Sequence, residues 1–194
     1  DAMHAAVARH YEILGDIVAA HGGVRPEEQG EGDSIVAAFT RPSDAVSAAV
    51  DAQIALLRER WPTSVPLVVR MAVHTGEAHL RDAANYAGQA IIRTARLRSL
   101  GHGGQILVSG VTRDLIVDEV RSRFDLRSLG EHPLRGLGRV EQVWQVSHPA
   151  LPAEFDQLVT ANTGPPRSLP RPLTPFVGRQ SELDDLAALV ADER

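Results

Sequence analysis

The chain has 194 residues, 43% of them apolar, enough for one well-buried domain with further segments beside it. It holds no cysteine, which excludes disulfides, thiol catalysis and Cys-ligated zinc, and its formal net charge of −5 argues against a general nucleic-acid binder. All 20 basic residues are arginine, so no Schiff-base lysine and no P-loop lysine exists.

No apolar run approaches the ~20 residues that span a bilayer, and no signal peptide opens the chain, so a cytoplasmic location without membrane attachment is expected. In chain order, Val7, Tyr11, Leu14 and Val18 recur at helical spacing and predict a helix over 1–22, stopped by Gly22-Gly23. Val24 opens a short strand and Ser34–Phe39 reads as a buried one, the two forming a hairpin around Gly30-Glu31-Gly32-Asp33. Ser43 is the expected N-cap of a helix whose apolar stripe is Val46, Val50, Ile54, Leu57 and Trp61, ended by Pro62 and Pro66. Leu67–Thr75 predicts a second central strand, and Gly76–Ala87 a polar loop before a helix over Gly88–Leu100.

Gly101–Gly104 breaks that helix. A strand over Gln105–Ser109, a helix over Val111–Val120 and strands over Phe124–Leu129 and Val140–Ser147 complete the series. The order is that of an α+β domain with helices covering a mixed sheet. Residues 149–175 hold seven of the chain's 12 prolines, with Gly, Ser, Thr and Asn, and read as an extended linker. Residues 176–194, opening Phe176-Val177-Gly178-Arg179, read as the front edge of another domain.

Two segments carry chemistry. Arg93 and Arg96 lie three apart on one helix and share a face, and guanidinium forks grip phosphate oxygens bidentately. Asp33 sets a carboxylate in a glycine-rich turn ahead of an apolar run, where it can hold Mg²⁺ or serve only as a turn residue. Together they point to nucleotide chemistry without a Walker motif.

The order of these motifs resembles the class III adenylate/guanylate cyclase homology domain. The residues that carry the resemblance are Gly32-Asp33 before the apolar run, Val73-His74-Thr75-Gly76-Glu77, Asn85-Tyr86-Ala87-Gly88 leading into Arg93-Thr94-Ala95-Arg96-Leu97, and Gly103-Gly104-Gln105-Ile106-Leu107-Val108-Ser109. Leu129-Gly130-Glu131-His132-Pro133-Leu134 also matches the actinobacterial type fused to regulatory ATPases, and residues 176–179 resemble the leading box of AAA- or STAND-type ATPases. The resemblance covers residues 1–148. It implies a ferredoxin-like fold that forms a head-to-tail homodimer with shared active sites. Two metal ions, Mg²⁺ or Mn²⁺, would join two aspartates to the triphosphate of ATP or GTP, and the ribose 3′-hydroxyl would displace pyrophosphate to give a cyclic nucleotide.

Carried over residue by residue, Asp33 is the metal aspartate and Arg96 the transition-state arginine. Arg93 is either a phosphate ligand or a structural ion pair. Gln29 and Asn85 stand where adenylate cyclases carry a purine-reading lysine and aspartate, and two neutral amides imply weak choice between ATP and GTP. Three departures matter. The other metal aspartate belongs on an opening strand ahead of the first helix, and residues 1–22 hold no such motif. Ile92 replaces the asparagine that positions the ribose, and Pro26 interrupts the strand before Gln29. The expectation is a cyclase domain without its opening strand, weakly active or inactive by itself. The alternative is a non-catalytic dimerisation or nucleotide-sensing module governing a downstream ATPase or transcription regulator.

Overall fold

The most completely buried strand of the molecule is an inner one. In the computed structural model, which describes residues 2–26, 34–82, 85–120 and 123–160, all four residues of the strand Ile106–Ser109 are buried. A strand covered on both faces needs such a run, because neither side of its pleat meets water. Ten elements are described: α1 (Ala2–Ala20), α2 (Pro42–Arg58), β1 (Met71–Val73), β2 (His79–Leu80), β3 (Tyr86–Ala87), α3 (Gln89–Leu100), β4 (Ile106–Ser109), α4 (Gly110–Val120), β5 (Asp125–Pro133) and β6 (Val140–Ser147). They belong to one compact unit, Asp1–Thr163.

Four strands form a mixed sheet in the order β1-β4-β6-β5, with β1 parallel to β4 and the other pairs antiparallel. The pleat divides β4 between two cores. Ile106 and Val108 pack with Val46 and Val50 of α2 and Ile116 and Val120 of α4. Leu107 points the other way, onto Leu97 and Leu100 of α3, with Leu134 and Val143. A third cluster joins α1 to α2 through Ile13, Leu14, Ala52 and Leu56. The α+β expectation, a mixed sheet covered by helices, is met.

Several elements differ in detail from the sequence reading. Helix α2 is capped by Arg41 with Pro42 in its first turn, and Ser43 lies inside it, its carbonyl accepting from the Ser47 hydroxyl at 2.8 Å. Its inner stripe runs Val46, Val50, Gln53 and Leu56, while Leu57 faces water. Gln53 is tolerated inside because its Nε2 donates to the Val69 carbonyl at 2.7 Å. The strand expected over Leu67–Thr75 contracts to Met71–Val73, since its partner β4 is only four residues long and is entered through the Gly103-Gly104 turn. The expected hairpin survives as one antiparallel bridge, Val24 with Ala38, each N–H donating to the other's carbonyl at 2.8 Å. Its tip, with Gln29 and Asp33, lies outside the described residues, as do residues 161–194 and with them the expected start of a further domain.

The chain does not leave the domain at Ser147. Leu151 packs on the α2/α4 core and Leu158 is buried among Leu97, Leu100 and Leu134. Val159 N–H donates to the Leu100 carbonyl at 2.8 Å, and Gln145 Nε2 donates to the Ala153 carbonyl at 2.8 Å. Residues 149–160, the first part of the expected linker, are thus strapped to the sheet. Leu158→Ala is expected to cost about 2 kcal/mol, the low end for a buried leucine because the site is at the rim of the core. Urea denaturation measures it, and a loss below about 0.5 kcal/mol would mean the strap contributes no packing.

Candidate functional site

The carboxyl end of β1 runs into His74 and a loop through Gly76 and Glu77. The short antiparallel ribbon of β2 and β3 follows, pairing His79 with Ala87 and Leu80 with Tyr86. Between that ribbon, the loop and the first turn of α3 lies an open cleft of about 780 Å³. Its walls include His74, Glu77, Tyr86, Gln89, Ile92 and Arg93. Gly88 joins ribbon to helix with φ of +141°, a backbone region that L side chains rarely enter. A Cβ there would stand 3.1 Å from the Glu77 carbonyl oxygen, so the loop and the helix start approach as closely as a glycine permits. Helix α3 begins with no acidic residue in its first turn. Its unpaired amides and positive dipole end are therefore not neutralised from within the helix.

Arg93 stands in the cleft wall with its guanidinium committed. Nη1 donates to Glu141 Oε2 at 2.8 Å, and the pair is well covered, with side-chain exposures of 25% and 9%. The other oxygen of Glu141 accepts from the Gly110 N–H at the start of α4 at 3.3 Å. Of the two roles open for Arg93, this geometry is that of a structural ion pair tying α3 to β6 and α4. Arg96 lies one turn further along α3, exposed, outside the cleft lining and with no ion-pair partner among the described residues.

Asn85 is buried at the end of the ribbon turn. Its N–H and its Nδ2 both donate to Asp82 Oδ1, at 2.9 and 3.0 Å, and its carbonyl accepts from Arg81 N–H. It holds the turn and is not in the cleft lining. Ile92, where the resemblance expects asparagine, is in the lining and half exposed. Among the described residues no group of three or more His, Asp or Glu side chains is placed to hold a metal ion. Of the expected site residues, the structure thus brings Arg93 to the cleft, places Asn85 and Arg96 beside it, and leaves Gln29 and Asp33 outside its description.

The sequence reading places His74 in the Val73–Glu77 motif without a site role and does not single out Glu141 behind the cleft. His74 bonds through Nδ1 to Ser109 Oγ at 2.8 Å, and burial, with Arg93 beside it, holds its pKa below the usual imidazole value against the pull of Glu141. Glu141 lies 48 positions from Arg93, and nothing local in the sequence signals the pairing.

Comparison with known proteins matches this architecture. No protein-family model matches the chain. It is 44% identical over 181 residues to an uncharacterized protein of Mycobacterium tuberculosis, covering 93% of this chain and 61% of that protein. The chain therefore spans about three-fifths of the length of such relatives. An adenylate cyclase structure from Trypanosoma brucei, in its monomeric state, superposes with a TM-score of 0.74 at 23% identity, over 83% of this chain and 86% of that one. The guanylate cyclase domain from Catenaria anguillulae, in complex with GTP, superposes with a TM-score of 0.62 at 18% identity, over 75% of this chain and 84% of that one. The domain is built on the adenylate/guanylate cyclase fold. No described helix is long and apolar enough to cross a membrane.

Proposed function

We propose that this chain carries a nucleotide-binding domain of class III cyclase type, which converts ATP or GTP to a cyclic nucleotide and pyrophosphate when paired with a second copy. The observation that carries the reading is the open cleft ending on the amino terminus of α3, in a fold shared with cyclase domains. A helix amino end without acidic residues attracts phosphate through its free N–H groups. The exposed guanidinium of Arg96 supports a task outside its own protomer, stabilising charge that develops at the α-phosphate of a nucleotide bound to the partner. Asp33 is the residue we assign to a divalent cation, Mg²⁺ or Mn²⁺, which when bound would offset triphosphate charge. Gln29 and Asn85 are assigned to the base. Residues 176–194 are read as the opening of an ATPase-type domain, whose regulator the cyclase-type domain would inform.

The test is cyclic-nucleotide formation by the purified protein, and by a chain extended upstream of Asp1, with Mn²⁺ and saturating ATP or GTP. Product is expected from both nucleotides, with rates within a hundredfold, because neutral amides discriminate weakly between purines. A preference above a hundredfold overturns the base assignment. One observation favours a second reading: Ile92 in the cleft can neither donate nor accept a hydrogen bond to a ribose. On that reading the domain binds nucleotide as a signal without turning it over. Saturable ATP binding with no product from either chain selects it.

A further inference from the structure

Behind His74 a row of hydroxyls, Ser109, Thr112 and Thr75, leads to its Nδ1. The Thr112 hydroxyl donates to the Val73 carbonyl at 3.4 Å. With the Thr112 proton on Val73, Thr112 Oγ1 receives from its two other neighbours, Ser109 Oγ and Thr75 Oγ1, each at 3.0 Å. The proton of Ser109 is thereby used. Its oxygen, already accepting from the Thr112 N–H at 3.3 Å, must also accept at 2.8 Å from His74 Nδ1. In that arrangement the imidazole is the Nδ1–H tautomer, with the lone pair on Nε2.

Nε2 has no hydrogen-bond partner among the described residues and is not among the sealed, unpartnered polar atoms, while His74 lines the cleft. It stands beside Gly76, where a Cβ would come within 3.2 Å of it, so the absence of a side chain there keeps the nitrogen open. We infer that His74 is a specificity-determining residue of the cleft, its Nε2 accepting a hydrogen bond from an N–H or O–H donor of the bound nucleotide. The inference rests on the nucleotide reading above and adds to it the polarity of one contact. The donor is an exocyclic amine of the base or a ribose hydroxyl.

Protonation reverses that polarity, since imidazolium donates from both nitrogens. The charged groups around the ring are Arg93 from α3 and Glu141 from β6, with Glu77, His79 and Tyr86 across the cleft; β4 and α4 meet it with the hydroxyls of Ser109 and Thr112. Burial lowers the His74 pKa, so the acceptor form holds at neutral pH and is lost as the pH falls through that lowered value.

Two measurements test this. Long-range ¹⁵N spectra of His74 at pH 7.5, without ligand, are expected to show protonated Nδ1 and bare Nε2; the reverse tautomer overturns the inference whatever the protein binds. Calorimetric titration with ATP is expected to show affinity about fivefold weaker for His74→Phe, the worth of one neutral hydrogen bond, and mostly retained for His74→Gln. Wild-type affinity should fall by more than that of His74→Phe as the pH is lowered through the depressed His74 pKa, located by following the same ¹⁵N signals with pH. Titration with 2′-deoxy-ATP, 3′-deoxy-ATP and purine riboside triphosphate identifies the donor, because the analogue lacking it will not sense His74→Phe. Equal affinities for wild type and His74→Phe, or a full effect with all three analogues, overturn the inference and leave the nucleotide reading intact. No binding of ATP by wild type overturns both.

Discussion

Arg96→Ala should lower cyclic-nucleotide formation by about 10²–10³-fold, the loss typical when one preorganised donor to a developing oxyanion is removed. Stability should hardly change, because the side chain is exposed and makes no ion pair among the described residues. Substrate affinity should also hold if the guanidinium acts chiefly in the transition state. A sharper version uses two inactive variants. Arg96→Ala spoils the site to which a protomer lends its arginine; Asp33→Ala spoils the site on the protomer that carries it. If each site draws on both subunits, every mixed dimer keeps one intact site, and freely exchanging chains should recover about a quarter of wild-type activity. No recovery on mixing, with exchange shown independently, would place both residues in one protomer's site and remove the two-fold arrangement from the reading.

Glu141→Ala should destabilise the domain by about 2–3 kcal/mol, below the range for breaking a fully buried ion pair because Arg93 keeps some access to water. The carboxylate does two jobs within hydrogen-bonding distance. It receives the Arg93 guanidinium at 2.8 Å and the Gly110 N–H at 3.3 Å, so removing it leaves one charge and one amide unmatched. Glu141→Gln should cost less, since the amide oxygen still accepts from Gly110. Arg93→Ala together with Glu141→Ala should cost clearly less than the sum of the single changes, because the second truncation removes the charge that the first stranded. Urea denaturation of the four proteins closes the cycle. Strict additivity would show that the pair contributes nothing and return Arg93 to the phosphate-binding role. His74 would feel the same substitution: losing Glu141 removes the influence that raises its pKa and leaves Arg93 lowering it.

What could be read in advance followed the strength of each local pattern. The four buried residues of β4 and the glycine-bounded helix α3 declare themselves through continuous apolarity and helical spacing, and both stand where expected. The ribbon of β2 and β3 does not, because its two-residue strands lie on the surface and their alternation has no buried side to report. Leu57 displaced Leu56 in the reading of α2 because adjacent leucines differ only by rotation about the helix, which the packing of α1 decides. Residues 149–160 look like a linker by composition, yet Leu151 and Leu158 find cores that only the folded sheet supplies. For the site, motif order pointed to α3 and the loop before it. The partners of Arg93 and of His74 Nδ1 stayed hidden, since both lie more than thirty positions away.

The strap has a mechanical side. One of its anchors, the amide of Val159 on the carbonyl of Leu100, grips the final residue of the helix that bears Arg96. A pull on the strap at Val159 therefore reaches the carboxyl end of α3, through that backbone bond and the Leu158 contact.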